Sequence, residues 1–318
     1  MINKIKKNLF IVLGIAVLIY LVLAVFTDIN FLFETFKSFN WLFLPLLLLF
    51  SYLNYVSRFF KWHYYVRQLK IDISLRVSFD IFMSGLAMSL TPGKMGEVLK
   101  AYMLKKITGV PISKTAPIIF VERVTDFLSL VLLAIIGAVT YNYGVIPTIL
   151  VGIFFISVVL VLSSKKLSLW IIELLSKIKF IGRQAKKLHQ AYESSYNLLK
   201  LKPLVLMVLF SLVAWMFECL GFYFVLYNFK NFVSLLFPIF VYSFSTIIGS
   251  VSMLPGGLGV TEGSLTLLLA NNGFTKEAAL ASTFIIRTVT LWFALLIGVV
   301  HLFGYQKKYG EIKEDKQE

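Results

Sequence analysis

Seven charged side chains sit where so apolar a chain has least room for them. Glu122, Arg123 and Asp126 lie within the run Ala116–Tyr141, and Arg287 lies within Ala279–Phe303. Lys94, Glu97 and Glu262 fall in two glycine- and proline-rich interruptions. A charge at the bilayer centre costs at least about 2.5–3.5 kcal/mol on insertion scales, so such residues pair with one another or line a polar path. Glu122 and Asp126 are four apart and share a helical face, with Arg123 three before Asp126. A guanidinium fork suits a phosphodiester, while neighbouring carboxylates can hold the arginines or receive a cationic headgroup. The plainer alternatives are charges that lock helices together, or that snorkel to an interface, as Arg123 can.

Composition narrows the setting. The 318 residues are 58% hydrophobic and 15% charged, with a mean hydropathy of +0.84. A soluble domain has about 45–50% apolar and about 25% charged residues, so the chain reads as an all-α polytopic membrane domain over 1–308 with a disordered tail at 309–318. The single Cys219 excludes intramolecular disulfides and cysteine zinc sites. His63, His189 and His301 have no ligand spacing, and the reading calls for no metal or cofactor. The net charge of +15 would suggest nucleic acid in a soluble protein. Here the basic residues flank apolar runs, which points to membrane lipids and away from nucleic acid. No Walker loop is present, so an ATP-driven pump is not expected.

A crossing helix needs about 20 mostly apolar residues. Six runs qualify: Leu9–Phe26, Phe39–Ser57, Ala116–Tyr141, Ile146–Ser164, Pro203–Tyr227 and Ala279–Phe303. The first has no signal-peptide cleavage site and reads as an uncleaved span. Two more apolar stretches are broken, Phe79–Leu104 by Thr91-Pro92-Gly93-Lys94-Met95-Gly96-Glu97 and Phe232–Ala270 by Pro255-Gly256-Gly257-Leu258-Gly259-Val260-Thr261-Glu262-Gly263. As re-entrant hairpins they leave six crossings, and as full crossings they give about eight. With the hairpins entering from the cytoplasm and from outside respectively, 26 of the 31 basic residues share one side. Lys37, Lys230 and Lys276 lie on the other. The positive-inside rule then makes both termini cytoplasmic in the cell membrane. Lys165–Lys202 carries Trp170, Ile171, Leu174, Leu175 and Ile178 at helical spacing. It reads as an amphipathic helix on the inner leaflet or as a solvated loop.

The two interruptions repeat. Pro92-Gly93 with Gly96 matches Pro255-Gly256 with Gly259 at an offset of 163 residues, and the same shift brings Arg123 within one residue of Arg287. Span, broken hairpin and arginine-bearing span thus occur twice, over 39–141 and 203–303, in opposite orientations, a transporter design with discontinuous helices at mid-membrane. Irregular backbone survives in a bilayer when buried in protein or lining a polar cavity. Gly and Pro end these helices, and Gly257 belongs to the same loop-forming set. The expected restarts before Val98 and Ser264 would present amide N–H groups to an anion, with Lys94 adding a full charge. Kinked helices packed through glycine are the alternative.

On these residues the sequence resembles the lysylphosphatidylglycerol synthase transmembrane-domain, or flippase-like, family. The resemblance runs over about 9–305 through Ser89–Glu97, Glu122-Arg123-Val124-Thr125-Asp126, Pro255–Gly263 and Arg287. It implies a membrane domain that moves aminoacylated phosphatidylglycerol, with a partner enzyme supplying the lipid. It does not carry lysyl transfer over, because the chain has no room for the soluble transferase domain. Three readings follow: a translocator for a phospholipid or polyprenyl-phosphate headgroup, a membrane enzyme acting on a lipid phosphate, and a small-solute secondary transporter. In the first, Lys94, Glu97, Glu122, Arg123, Asp126, Glu262 and Arg287 contact the anionic or aminoacylated headgroup.

Overall fold

The computed structural model describes residues 14, 29–91, 96–176, 184–229 and 233–310. The expected span Leu9–Phe26 apart from Gly14, the turn residues Pro92, Gly93 and Lys94, the position Ile178 and residues 311–318 lie outside the described residues; of the tail expected over 309–318, Tyr309 ends the last helix. Every described element is helical. In chain order these are α1 (Ile29–Ser38), α2 (Leu44–Gln68), α3 (Leu75–Gly85), α4 (Leu99–Thr108), α5 (Ile112–Thr140), α6 (Val145–Ser163) and α7 (Lys165–Ser176). They continue with α8 (Ala185–Leu198), α9 (Leu201–Phe229), α10 (Leu236–Val251), α11 (Val260–Asn271), α12 (Lys276–Arg287) and α13 (Phe293–Tyr309).

Among the described residues, four helical stretches are long and apolar enough to cross a membrane: Trp41–Gln68, Val145–Ser163, Leu201–Phe229 and Lys276–Tyr309. This is a polytopic membrane protein. The 29-residue α5 matches them in length and carries Glu122, Arg123 and Asp126. The expected second span is too short at its C-terminal end. The helix continues past Ser57 to Gln68, because Tyr55, Phe59, Trp62, Tyr65 and Val66 keep an apolar face buried at helical spacing. Arg58, Lys61 and Lys100, counted above among loop charges, therefore belong to helices, with Lys61 and Lys100 almost fully buried.

Both interruptions occur where expected. After α3 a 3-10 turn, Leu86–Met88, leads into the first break, and after α10 a 3-10 turn, Pro255–Gly257, forms the second. Gly256 and Gly257 take positive φ of 59° and 67°, which L side chains rarely adopt. The first restart is near its expected place, with α4 beginning at Leu99. The second is four residues early: α11 begins at Val260, and Gly263 is inside the helix. There the Gly259 N–H donates to the Glu262 carboxylate at 2.7 Å, so an anion from the chain itself already occupies that helix start. In the long basic stretch after α6 the described residues form α7 and α8. Leu167, Trp170 and Leu174 of α7 stand exposed.

The helices pack reciprocally. α2 lies along α9; α3 packs on α13, and α10 packs on α5. The helix before each break thus packs on a long helix that follows the other break. Two buried clusters result, one around Trp62, Met83, Met103 and Tyr305, the other around Leu47, Phe222, Phe240 and Ile286.

Candidate functional site

Between these clusters is a cavity of about 680 Å³, within the range of small-molecule pockets. Both broken segments reach it. Leu90, two residues before Pro92, packs with Leu258 of the second break, with Leu291 just before α13 and with Leu295 of α13. Thr91 closes the first break, accepting from the Gly96 N–H at 2.8 Å while donating to the Met88 carbonyl. Thr91, Glu97, Gly256, Gly257 and Thr261 all line the chamber.

The charged wall comes mainly from α2, α5 and the chain around the start of α4, with Glu218 of α9 and Arg287 of α12 also lining the cavity. Asp126 is the hub: Arg58 Nη2 donates to it at 2.8 Å and Lys61 Nζ at 2.7 Å, with the Ser211 hydroxyl donating at 3.0 Å from α9. Lys100 Nζ reaches Glu122 at 2.7 Å and Glu97 at 3.2 Å, over the rings of Trp62 and Phe82. Burial makes such pairs mutually dependent, since removing one partner leaves a charge without its counterion.

Arg123 and Arg287 are held very differently. Arg123 touches Glu97 and Asp126 at 3.4 Å each, remains 19% exposed along its side chain, and has a buried Nε with no hydrogen-bond partner. Arg287 Nε donates to Glu262 at 2.6 Å and its Nη2 to the Gly256 carbonyl at 2.6 Å. It thereby ties the second break to α11 and α12. Arg287 still lines the chamber, whereas Glu262 is fully buried behind it.

Of the residues singled out from sequence, Glu97, Glu122, Arg123, Asp126 and Arg287 share one chamber. Sequence reasoning missed Asn54, Arg58, Lys61, Lys100 and Trp215. Arg58 and Lys61 fall on the helix-period face that runs on past Ser57, a signal that was there to read. Lys100, one of several lysines near the end of a broken stretch, carried no comparable signal.

At its other side the chamber has an apolar mouth. Phe120 of α5, Leu150 and Phe154 of α6, and Val251, Met253 and Leu254 beside the second break line the cavity and are exposed on the protein surface. Charged wall and greasy mouth belong to one space. Among the described residues no group of three His, Cys, Asp or Glu side chains is placed to hold a metal ion.

Residues 11–298 match the family described as the lysylphosphatidylglycerol synthase TM region. The chain belongs to this family. What matches is the transmembrane region of such synthases. The chain is also similar to archaeal UPF0104 membrane proteins. One from Methanocaldococcus jannaschii is 26% identical over 230 residues, 72% of this chain and 97% of that protein. One from Methanothermobacter thermautotrophicus is 25% identical over 281 residues, covering 80% and 83% of the two chains. One from Pyrococcus horikoshii is 24% identical over 275 residues, covering 78% and 82%.

Proposed function

We propose that this protein is a lipid translocator whose chamber takes the headgroup of a phospholipid or polyprenyl phosphate while the acyl chains remain in the bilayer. One observation carries the reading: the charged wall and the exposed apolar mouth line the same cavity. A headgroup needs desolvated polar partners, and its chains need an apolar side exit. A small-solute carrier needs only the first. The family description, which concerns a lipid-modifying synthase's membrane region, supports the same class.

Arg123 is the phosphate-binding residue in this reading. Its carboxylate contacts are the longest in the cluster, so a phosphate oxygen can replace them at least cost. Glu97, Glu122 and Asp126 hold the cations in place and receive any positive part of a headgroup. Arg287 and Glu262 fix the second break, and Lys94 adds a basic residue to the sequence of the first. The reciprocal packing of α3 on α13 and α10 on α5 supports two inverted halves, each with a re-entrant hairpin. Rocking of one half against the other would expose the chamber to alternate sides. Both termini lie in the cytoplasm, and a separate enzyme supplies the lipid.

Movement of fluorescent anionic and aminoacylated phospholipids across proteoliposomes tests this directly. Transfer faster than in empty vesicles is expected, falling at least tenfold in Arg123→Gln. No acceleration for any lipid of the panel would overturn the reading.

A further inference from the structure

Glu218 lies on α9 within the crossing stretch Leu201–Phe229, and although buried it lines the chamber. Tyr242 of α10 donates its phenol O–H to Glu218 Oε2 at 2.6 Å. The Thr290 side chain is the second hydrogen-bonding neighbour of that phenol. Thr290 Oγ1 donates to the Ile286 carbonyl at 2.7 Å, so its lone pairs are left for an incoming donor. Tyr242 and Thr290 line the chamber as well. The titratable and charged groups around this trio are Tyr55 and Arg58 of α2, Asp126 of α5, which holds Arg58, Cys219 of α9 and Arg287 of α12.

A phenol serves both forms of a carboxyl group, because it donates to the carboxylate and accepts from the acid. When Glu218 takes a proton from chamber water, an O–H bond forms on its carboxyl and donates to the Tyr242 oxygen. The Tyr242 hydrogen then turns to Thr290 Oγ1. Return of the proton to water reverses each step. The nearby cations keep their counterions throughout, Arg58 with Asp126 and Arg287 with Glu262. Protonating Asp126 or Glu122 would instead strand a buried lysine. Neutral Glu218 also removes one negative charge from the space in which Arg123 meets an anion, and charge counts heavily in a desolvated cavity. Proton and anion thus favour each other's binding, by the same factor in each direction. We propose that Glu218 is a proton-binding site coupled to anion binding in the chamber, so that a proton gradient drives lipid movement. This rests on the translocator reading and adds an energy source to it.

The test is proton uptake on lipid binding to the detergent-solubilised full-length protein, followed with a pH-indicator dye in weak buffer. The probe is dioctanoyl phosphatidylglycerol, an anion with no amine of its own to titrate. The natural protein should take up protons, to a maximum of about one per lipid bound. Glu218→Gln, whose amide oxygen still accepts from Tyr242, should take up none. Tyr242→Phe keeps the carboxyl and removes its partner. It should move the pH of half-maximal uptake by about one unit, the worth of a hydrogen bond to a charged group. Lipid binding without proton uptake would overturn the coupling and leave translocation standing. No lipid binding would overturn both. Uptake unchanged in Glu218→Gln would overturn the assignment to Glu218; if that variant does not fold, an unmoved midpoint in Tyr242→Phe would overturn it.

Discussion

Arg123 and Arg287, which a shift of 163 residues brings within one position of each other, are held differently, and the difference lies in their partners. Arg287 is bound at 2.6 Å to Glu262, which is fully buried, and at 2.6 Å to the Gly256 carbonyl. Arg287→Gln should cost about 3–5 kcal/mol, because it strips the cation from a buried carboxylate. Thermal unfolding in detergent would record this as a large drop in Tm. Arg123 is held at 3.4 Å and partly exposed, so Arg123→Gln should change stability by no more than about 1 kcal/mol while abolishing lipid movement. A comparable Tm loss in both variants would contradict the division of labour. Asp126 is the other sensitive position. Asp126→Asn leaves Arg58 and Lys61 without their shared carboxylate, and a loss of about 3 kcal/mol is expected by the same logic.

At the scale of elements, the two breaks are built for close approach. The first, after α3, is crossed by α13 at Gly298, where an added Cβ would collide with the backbone nitrogen of Ala87. Backbone cannot rotate away as a side chain can, so Gly298→Ala should separate the turn from α13 at a cost of roughly 1–3 kcal/mol. The measurement is Tm together with the fraction of monodisperse protein, and an unchanged Tm would show that this crossing is slack. A π-helical segment at Thr288–Trp292 joins α12 to α13, and Tyr55 donates to its Thr290 carbonyl at 2.6 Å. Bulges of this kind concentrate at functional sites because they re-aim neighbouring side chains. Here the bulge directly follows Arg287 and supplies Thr290 and Leu291 to the chamber. The positions of the breaks were legible from Pro and Gly. The start of α11 was not, because Gly263 resembles a boundary while Glu262 in fact caps a helix that begins at Val260.

For the molecule as a whole, orientation is open to a direct check. Cys219 is buried and is the sole cysteine, so single exposed cysteines can be introduced without removing it. Ser38→Cys should react with a membrane-impermeant maleimide in intact cells, and Lys200→Cys only after permeabilisation; the reverse pattern would invert the proposed topology. The positive-inside count behind this prediction included Arg58, Lys61 and Lys100, which belong to the internal cluster. The basic residues left on that side still far outnumber Lys37, Lys230 and Lys276 on the other.

By itself the sequence determined that the chain is an α-helical membrane protein of this family, with two interrupted helices and ionisable groups inside apolar runs. Each of those facts follows from local composition set against a single solvent, the bilayer, which penalises charge and unpaired backbone wherever they fall. The tertiary structure decided which charges meet. Lys61 and Asp126, or Lys100 and Glu122, are joined by helix packing across tens of residues, and no local pattern encodes that. It also decided that Arg123 is loosely held and Arg287 tightly, and that one cavity has both a charged wall and an apolar mouth. Those properties depend on distances between elements, which only the packed fold fixes.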